Sequence, residues 1–117
     1  MSVNKEATRY FSDKHEKSVC DIVNGIQQPN SGAGRFKKGD VINAQASLLV
    51  ECKTVETEKK SISIKKDWID KNKKECFENR LDNSCVAFNF EPNGESYFVI
   101  DSKLMRFLVE KLEEFEN

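Results

Sequence analysis

The sequence predicts an α/β domain, a mixed sheet with helices on its faces. Three observations carry that expectation. Stripes of apolar residues at helical spacing lie at both ends of the chain, from Phe11 to Ile26 and from Leu104 to Phe115. The continuous run Leu48-Leu49-Val50 between them reads as a strand buried on both faces. Two further β-type runs, Val86-Ala87-Phe88-Asn89-Phe90 and Tyr97-Phe98-Val99-Ile100, flank the turn sequence Pro92-Asn93-Gly94. The implied order is α-β-β-(β)-α-β-β-α, in one domain spanning residues 1–117 with no repeat and no linker.

Residues 1–9 lack periodicity and are expected to fray. Over residues 10–26, Phe11, Val19, Ile22, Val23 and Ile26 recur at offsets of three, four and seven, with His15 packed on the same stripe. Gly25 is a candidate stop. Residues 27–39 form a loop rich in turn formers, Pro29, Asn30, Ser31, Gly32 and Gly34. Two strands follow, residues 40–44 and 47–53. Ser61-Ile62-Ser63-Ile64 alternates and reads as a short extended piece. Residues 65–80 read as a helix with Trp68, Ile69, Asn72, Cys76 and Phe77 toward the core. Ser102 is placed to cap the last helix, whose stripe is Leu104, Phe107, Leu108, Leu112 and Phe115.

The formal net charge of -1 hides a gradient. Residues 1–30 are neutral, residues 31–74 carry +5 and residues 75–117 carry -6. The middle third is a candidate surface for a polyanion. No stretch approaches the roughly 20 apolar residues of a membrane span, and the first 20 residues contain no secretory core. Cys20, Cys52, Cys76 and Cys85 form no C-x-x-C pair, and His15 is the only histidine, so a structural zinc site is not expected. Four reduced thiols in a cytoplasmic protein is the reading that fits.

The chemistry-bearing constellation is Asp40 followed by Glu51-Cys52-Lys53. Residues 51 and 53 lie two apart on a strand and share a face, while Asp40 opens the neighbouring strand and can meet Glu51 across the pair. Two carboxylates at the end of an apolar strand need a neutralising charge. Lys53 supplies part of it. A hard cation such as Mg²⁺, held by Asp40, Glu51 and the Cys52 backbone carbonyl with waters, would supply the rest. Such a cation polarises a phosphoryl oxygen and activates water. A salt bridge at a strand end is the plainer reading of the same residues. Favouring the metal are the hydrophobic run that ends in Glu51-Cys52-Lys53, the glycine-rich basic loop leading into Asp40, and Glu16 on the preceding helix as a possible third carboxylate.

Asp40 with Glu51-Cys52-Lys53 resembles the PD-(D/E)xK motif of the restriction-endonuclease-like superfamily. The chain is most similar there to archaeal-type Holliday junction resolvases and resolvase-like phage nucleases. Matching that pattern are Glu16, the Ser31-Gly32-Ala33-Gly34 loop, Asp40, Glu51 with Lys53, the segment Ser61-Ile62-Ser63-Ile64-Lys65-Lys66 and the two late strands, over residues 10–101. Gly39 stands where the motif has proline, and Gln27-Gln28-Pro29 where the family often has an arginine.

The resemblance implies a restriction-endonuclease-like mixed central sheet flanked by helices. It also implies a homodimeric, Mg²⁺-dependent endonuclease, with Mn²⁺ able to substitute, that cleaves four-way or otherwise branched DNA. In it Asp40 and Glu51 would be metal ligands, Lys53 the catalytic lysine, Glu16 an auxiliary acid and Ser31 a contact to the scissile phosphate. Arg35, Lys37, Lys38, Lys59, Lys60, Lys65 and Lys66 are the candidate DNA-binding cations. The alternatives are a nuclease-like module that binds DNA or protein without cutting, and an interaction factor that uses its acidic C-terminal helix.

Overall fold

A computed structural model describes residues 5–28 and 40–116, with side chains over residues 9–28 and 40–115. Among the described residues, three helices and five strands follow the order α1 (Lys5–Val23), β1 (Ile26–Gln27), β2 (Asp40–Asn43), β3 (Leu48–Lys53), α2 (Lys66–Glu78), β4 (Asn83–Phe88), β5 (Tyr97–Val99) and α3 (Ser102–Glu116). The strands form one mixed sheet in the order β1-β2-β3-β4-β5, in which β3 and β4 are parallel and every other pair is antiparallel. The α/β expectation stands. The parallel pair requires a crossover, and α2 supplies it.

The first helix begins at Lys5, and residues 1–4 lie outside the described residues; Lys5, Glu6, Ala7 and Arg9 are good helix formers even without an apolar stripe. It stops at Val23, where Asn24 takes the left-handed conformation (φ 54°) and the Gly25 N–H donates to the Cys20 carbonyl at 3.0 Å. Gly25 is needed for proximity: a Cβ there would lie 2.5 Å from Val41 Cγ1. Ile26 therefore belongs to an edge strand and is 72% exposed, and Ile22 is exposed too. The buried stripe of α1 runs instead through His15, Glu16 and Val19.

The hairpin between β2 and β3 is fixed by side chains. The Ala46 N–H donates to Asn43 Oδ1, and Asn43 Nδ2 donates to the Val23 carbonyl, tying the turn to the end of α1. Ser47 joins the same hairpin to the start of β4. Its hydroxyl accepts from the Asp82 N–H at 2.8 Å, and its carbonyl accepts from the Asn83 N–H at 2.8 Å. These bonds set the parallel register, from Leu48 opposite Asn83 to Lys53 opposite Phe88.

Val19 of α1 packs on Val41, Val50, Cys85 and Ala87, with Cys20, Val23, Leu48, Cys52 and Ile100 around them. The other face of the sheet carries Leu49 and Val86 and is covered by α2. Asn72 Nδ2 donates to the Cys85 carbonyl at 2.8 Å and fastens α2 there. Cys76 is buried as expected, but Phe77 is 84% exposed and Glu75 takes the inward position. The α2 helix ends on a left-handed Arg80 (φ 57°), with the Leu81 N–H bonded to the Cys76 carbonyl.

Residues 61–64 are not a strand. Their segment runs outside the sheet and is held where the Lys59 N–H donates to the Phe90 carbonyl at 2.7 Å. Asp101, not Ser102, caps α3: the Leu104 N–H donates to Asp101 Oδ1 at 2.9 Å. The apolar stripe of α3 does not close the core. Met105, Phe107, Leu108, Val109, Leu112 and Phe115 are all between 41% and 88% exposed. All four cysteines are free thiols. Among the described residues no helix is long and apolar enough to cross a membrane.

Candidate active site

The register of the β2–β3 ladder places Asp40 directly opposite Glu51. Side chains of directly opposed residues leave the sheet on the same side, with Cα atoms about 4.5–5.5 Å apart. Val41 and Val50, the next pair, point to the α1 core. Strand alternation then turns Asp40, Glu51 and Lys53 toward the face that α2 covers. Asp40 and Glu51 are 7% and 5% exposed, so the two carboxylates are held out of bulk water at the end of the hydrophobic run.

Lys53 lies one row further along, opposite Phe88 in the parallel ladder. Its ammonium sits 5.0 Å from the centre of the Trp68 ring, and the Lys65 ammonium lies 6.0 Å from the same ring. An aromatic face attracts a cation at this distance. Trp68 enters from the first turn of α2; its place on that helix had suggested only a core residue. The strand end beyond Lys53 is fastened by the fully buried Asn89, whose Oδ1 accepts from the Thr54 hydroxyl at 2.9 Å and from the Val55 N–H at 3.4 Å. Phe88, opposite Lys53, packs with Phe90 and Tyr97 as a ring cluster, centroids 5.4–5.8 Å apart.

Glu16 stands on α1, against the opposite face of the sheet from Asp40 and Glu51, so the structure does not bring it to the two carboxylates. It is 1% exposed and accepts from Gln27 Nε2 at 2.8 Å. Burial first, then the charges of Glu16 and Asp40, hold the Cys52 thiol far above its ordinary range. Among the described residues no three His, Cys, Asp or Glu side chains converge closely enough to hold a metal ion. Two carboxylates are sufficient for Mg²⁺, which keeps several of its waters and is commonly bound through one or two carboxylates with substrate phosphate. The donor set of Asp40, Glu51 and the Cys52 carbonyl is all hard oxygen and fits that ion.

The Cys85 thiol is pushed up to about 12 by burial, and Cys20 and Cys76 are raised as well, so none of the four is an activated nucleophile. His15 is buried with neither ring nitrogen hydrogen-bonded among the described residues, and burial lowers its pKa to about 4. It is neutral at pH 7 and packs as a core residue.

The expected cations fall into two groups. Ser31, Arg35, Lys37 and Lys38 lie outside the described residues. Lys59, Lys60 and Lys65 are exposed on the segment leading into α2, of which Lys66, also exposed, is the first residue; Lys65 lies near Trp68. Lys66 is paired with Asp70 at 2.9 Å and Lys73 with Asp101 at 2.6 Å. Glu75 is a buried carboxylate on α2 that the sequence pattern did not single out, because a glutamate on an amphipathic helix ordinarily faces water. Compared with protein-family models, curated proteins and solved structures, the chain has no match in any of the three.

Proposed function

We propose that this chain is a divalent-metal-dependent endodeoxyribonuclease that cleaves phosphodiester bonds in branched DNA, with four-way junctions as the leading substrate. The observation that carries the reading is the direct opposition of Asp40 and Glu51, with Lys53 on the same face and the two carboxylates buried. A cation bound between two opposed carboxylates offsets their mutual repulsion. When bound, Mg²⁺ would supply Lewis-acid polarisation of the phosphoryl group and a more acidic water.

The remaining roles belong to the chain. Asp40 and Glu51 hold the cation and fix where the phosphate sits. Lys53 places a positive charge where negative charge grows on the phosphoryl oxygens. Trp68 and the Asn89 clamp keep that ammonium and its strand end in one position. Lys59, Lys60 and Lys65 offer phosphate contacts next to the site. Resolution of a junction needs two cuts related by two-fold symmetry, and a homodimer supplies two copies of Asp40, Glu51 and Lys53. Location in a cytoplasm, of a cell or of a phage-infected host, is part of the same proposal.

The test is cleavage of labelled four-way junction, flap, duplex and single strand, each with Mg²⁺, Mn²⁺ or EDTA. Metal-dependent cutting of branched DNA that vanishes in Glu51→Gln supports the reading. Tight DNA binding with no cleavage in either metal would establish the non-catalytic module instead.

A further inference from the structure

We propose that Tyr97, backed by Phe88 and Phe90, is a stacking platform for an unpaired base of a single DNA strand whose phosphates run past Lys53. The ladder builds the row. Lys53 stands opposite Phe88, and Phe88 opposite Tyr97. The three side chains therefore leave the sheet on one side, which is the side of Asp40 and Glu51. Their row adjoins the rung of Asp40, Glu51, Val86 and Val99. Neighbouring strands lie about 4.7–4.9 Å apart, so the Tyr97 backbone is about 10 Å from that of Lys53. A stacked strand covers that distance in about three nucleotides, at about 3.4 Å each. That the row borders a cutting site rests on the nuclease reading; the stacking itself does not.

The rings are held in a fixed arrangement and one of them is open. Phe90 meets both Phe88 and Tyr97 edge-on, at interplanar angles of 78° and 71°, while Phe88 and Tyr97 are tilted by only 31°. Phe88 and Phe90 are half-buried, but Tyr97 stands on the edge strand β5 and is 45% exposed. A ring that is fixed by its neighbours and still open to solvent loses little entropy when a base stacks on it.

Cations border the rings. The Lys53 ammonium sits at one end of the row, 5.0 Å from the Trp68 ring centre, with the Lys65 ammonium 6.0 Å from the same ring. The Lys59 N–H donates to the Phe90 carbonyl at 2.7 Å, which fastens the segment of the exposed Lys59 and Lys60 to the ring cluster. The Glu95 carboxylate is 3.5 Å from the Tyr97 hydroxyl, so the tip of that ring repels phosphate and the strand's backbone is directed to the lysines. Ring faces interleaved with lysines suit a single strand, whose bases stack while its phosphates meet the cations. A duplex offers this surface its phosphates alone, because its base faces already cover one another.

The test reads binding in EDTA, where no strand is cut. Labelled oligothymidylate, the same strand made abasic and a blunt duplex are each titrated with the full chain by fluorescence anisotropy. Stacking contributes about 1–3 kcal/mol per base, a factor of about 5 to 150 in affinity. The wild type should therefore bind oligothymidylate about fivefold or more tightly than the abasic strand. Tyr97→Leu should bind the two strands alike and keep its duplex affinity within about twofold of wild type. A second variant guards against a folding defect in the first. Trp68→Phe with Tyr97→Trp leaves a single indole, at position 97. Its fluorescence should be quenched by oligothymidylate and not by the abasic strand. Equal wild-type affinity for the two strands, a preference that survives Tyr97→Leu, or an indole at position 97 that oligothymidylate does not quench would each overturn the proposal. Absence of cleavage with the base preference intact would strike the nuclease reading and leave the platform standing.

Discussion

Asp40 and Glu51 face each other across the β2–β3 ladder, both more than nine-tenths buried, in a fold whose neighbouring rungs are Val41 with Val50 and Ile42 with Leu49. An acidic rung ends an otherwise apolar ladder, and on the nuclease reading a cation lies between its two carboxylates. Asp40→Asn and Glu51→Gln should each abolish Mg²⁺-dependent cleavage while leaving DNA affinity within about threefold, since the carboxylates repel phosphate in the absence of metal. Full activity of Glu51→Gln in Mg²⁺ would remove the assignment.

The same rung predicts a stability effect that needs no DNA. Mg²⁺ at about ten times its dissociation constant should stabilise the wild type by roughly 1.4 kcal/mol. For a domain of this size that raises the melting temperature by about 4–6 °C. Asp40→Asn should lose the shift. An equal shift in both proteins would locate the ion elsewhere.

Trp68 is the only tryptophan in the chain, and Lys53 lies over its ring. A partly exposed cation–π contact contributes about 0.5–1 kcal/mol. Trp68→Leu should therefore lower the cleavage rate several-fold with little change in DNA affinity, and Trp68→Phe should recover most of it. Lys53→Met should abolish cleavage and change the intrinsic fluorescence of Trp68. A Trp68→Leu protein that cleaves at the wild-type rate would reduce the contact to surface packing.

What the sequence revealed and what it hid follow from the range of the interactions involved. The rung of Asp40 and Glu51 was legible because strand alternation and a short hairpin are local, and so was the buried run Leu48-Leu49-Val50. The inward face of α1 was not. Val19 and Val23 suit a stripe with Ile22 and Ile26, yet the end of the helix at Asn24 and the close passage of Gly25 over Val41 turn Ile26 into an edge strand. Those choices depend on a strand that is distant in sequence. Trp68 over Lys53 and the Asn89 clamp on Thr54 and Val55 are likewise tertiary: each joins residues at least 15 positions apart. The α3 stripe read correctly as one face, but no sequence pattern tells whether such a face meets its own sheet or another molecule.

The lysine segment makes a graded prediction. Lys59, Lys60 and Lys65 are exposed on the segment that leads into α2, whereas Lys66 is engaged with Asp70. Each lysine that contacts a phosphate contributes about 0.9 to the salt slope of binding. Replacing Lys59, Lys60 and Lys65 by glutamine should lower that slope by two to three, and Lys66→Gln alone should change it least. An unchanged slope in the triple variant would make this face merely solvated.

His15 predicts how stability depends on pH. It is 3% exposed and lies on α1 beside Glu16, and burial lowers its pKa from 6.5 to about 4. Between those values the unfolded chain binds a proton that the folded chain refuses, so stability falls as the pH drops from about 6.5 toward 4. Above pH 6.5 both states hold neutral imidazole and the effect disappears. The full penalty, reached below pH 4, is on the order of 3 kcal/mol. His15→Leu keeps an apolar side chain of similar size on the buried stripe and removes the titration. Urea unfolding at pH 7 and pH 5 should then show a wild-type loss of about 1–2 kcal/mol over that interval, and a much smaller one in His15→Leu. Equal losses in the two proteins would mean that His15 does not govern this limb; Asp101, whose pKa is lowered by its bonds to Lys73 and the Leu104 N–H, acts only at lower pH. That contribution has the opposite origin, a group ionised more readily in the folded state. It is present above the ordinary aspartate range and is lost only as the pH falls below it, so a comparison between pH 7 and 5 separates the two.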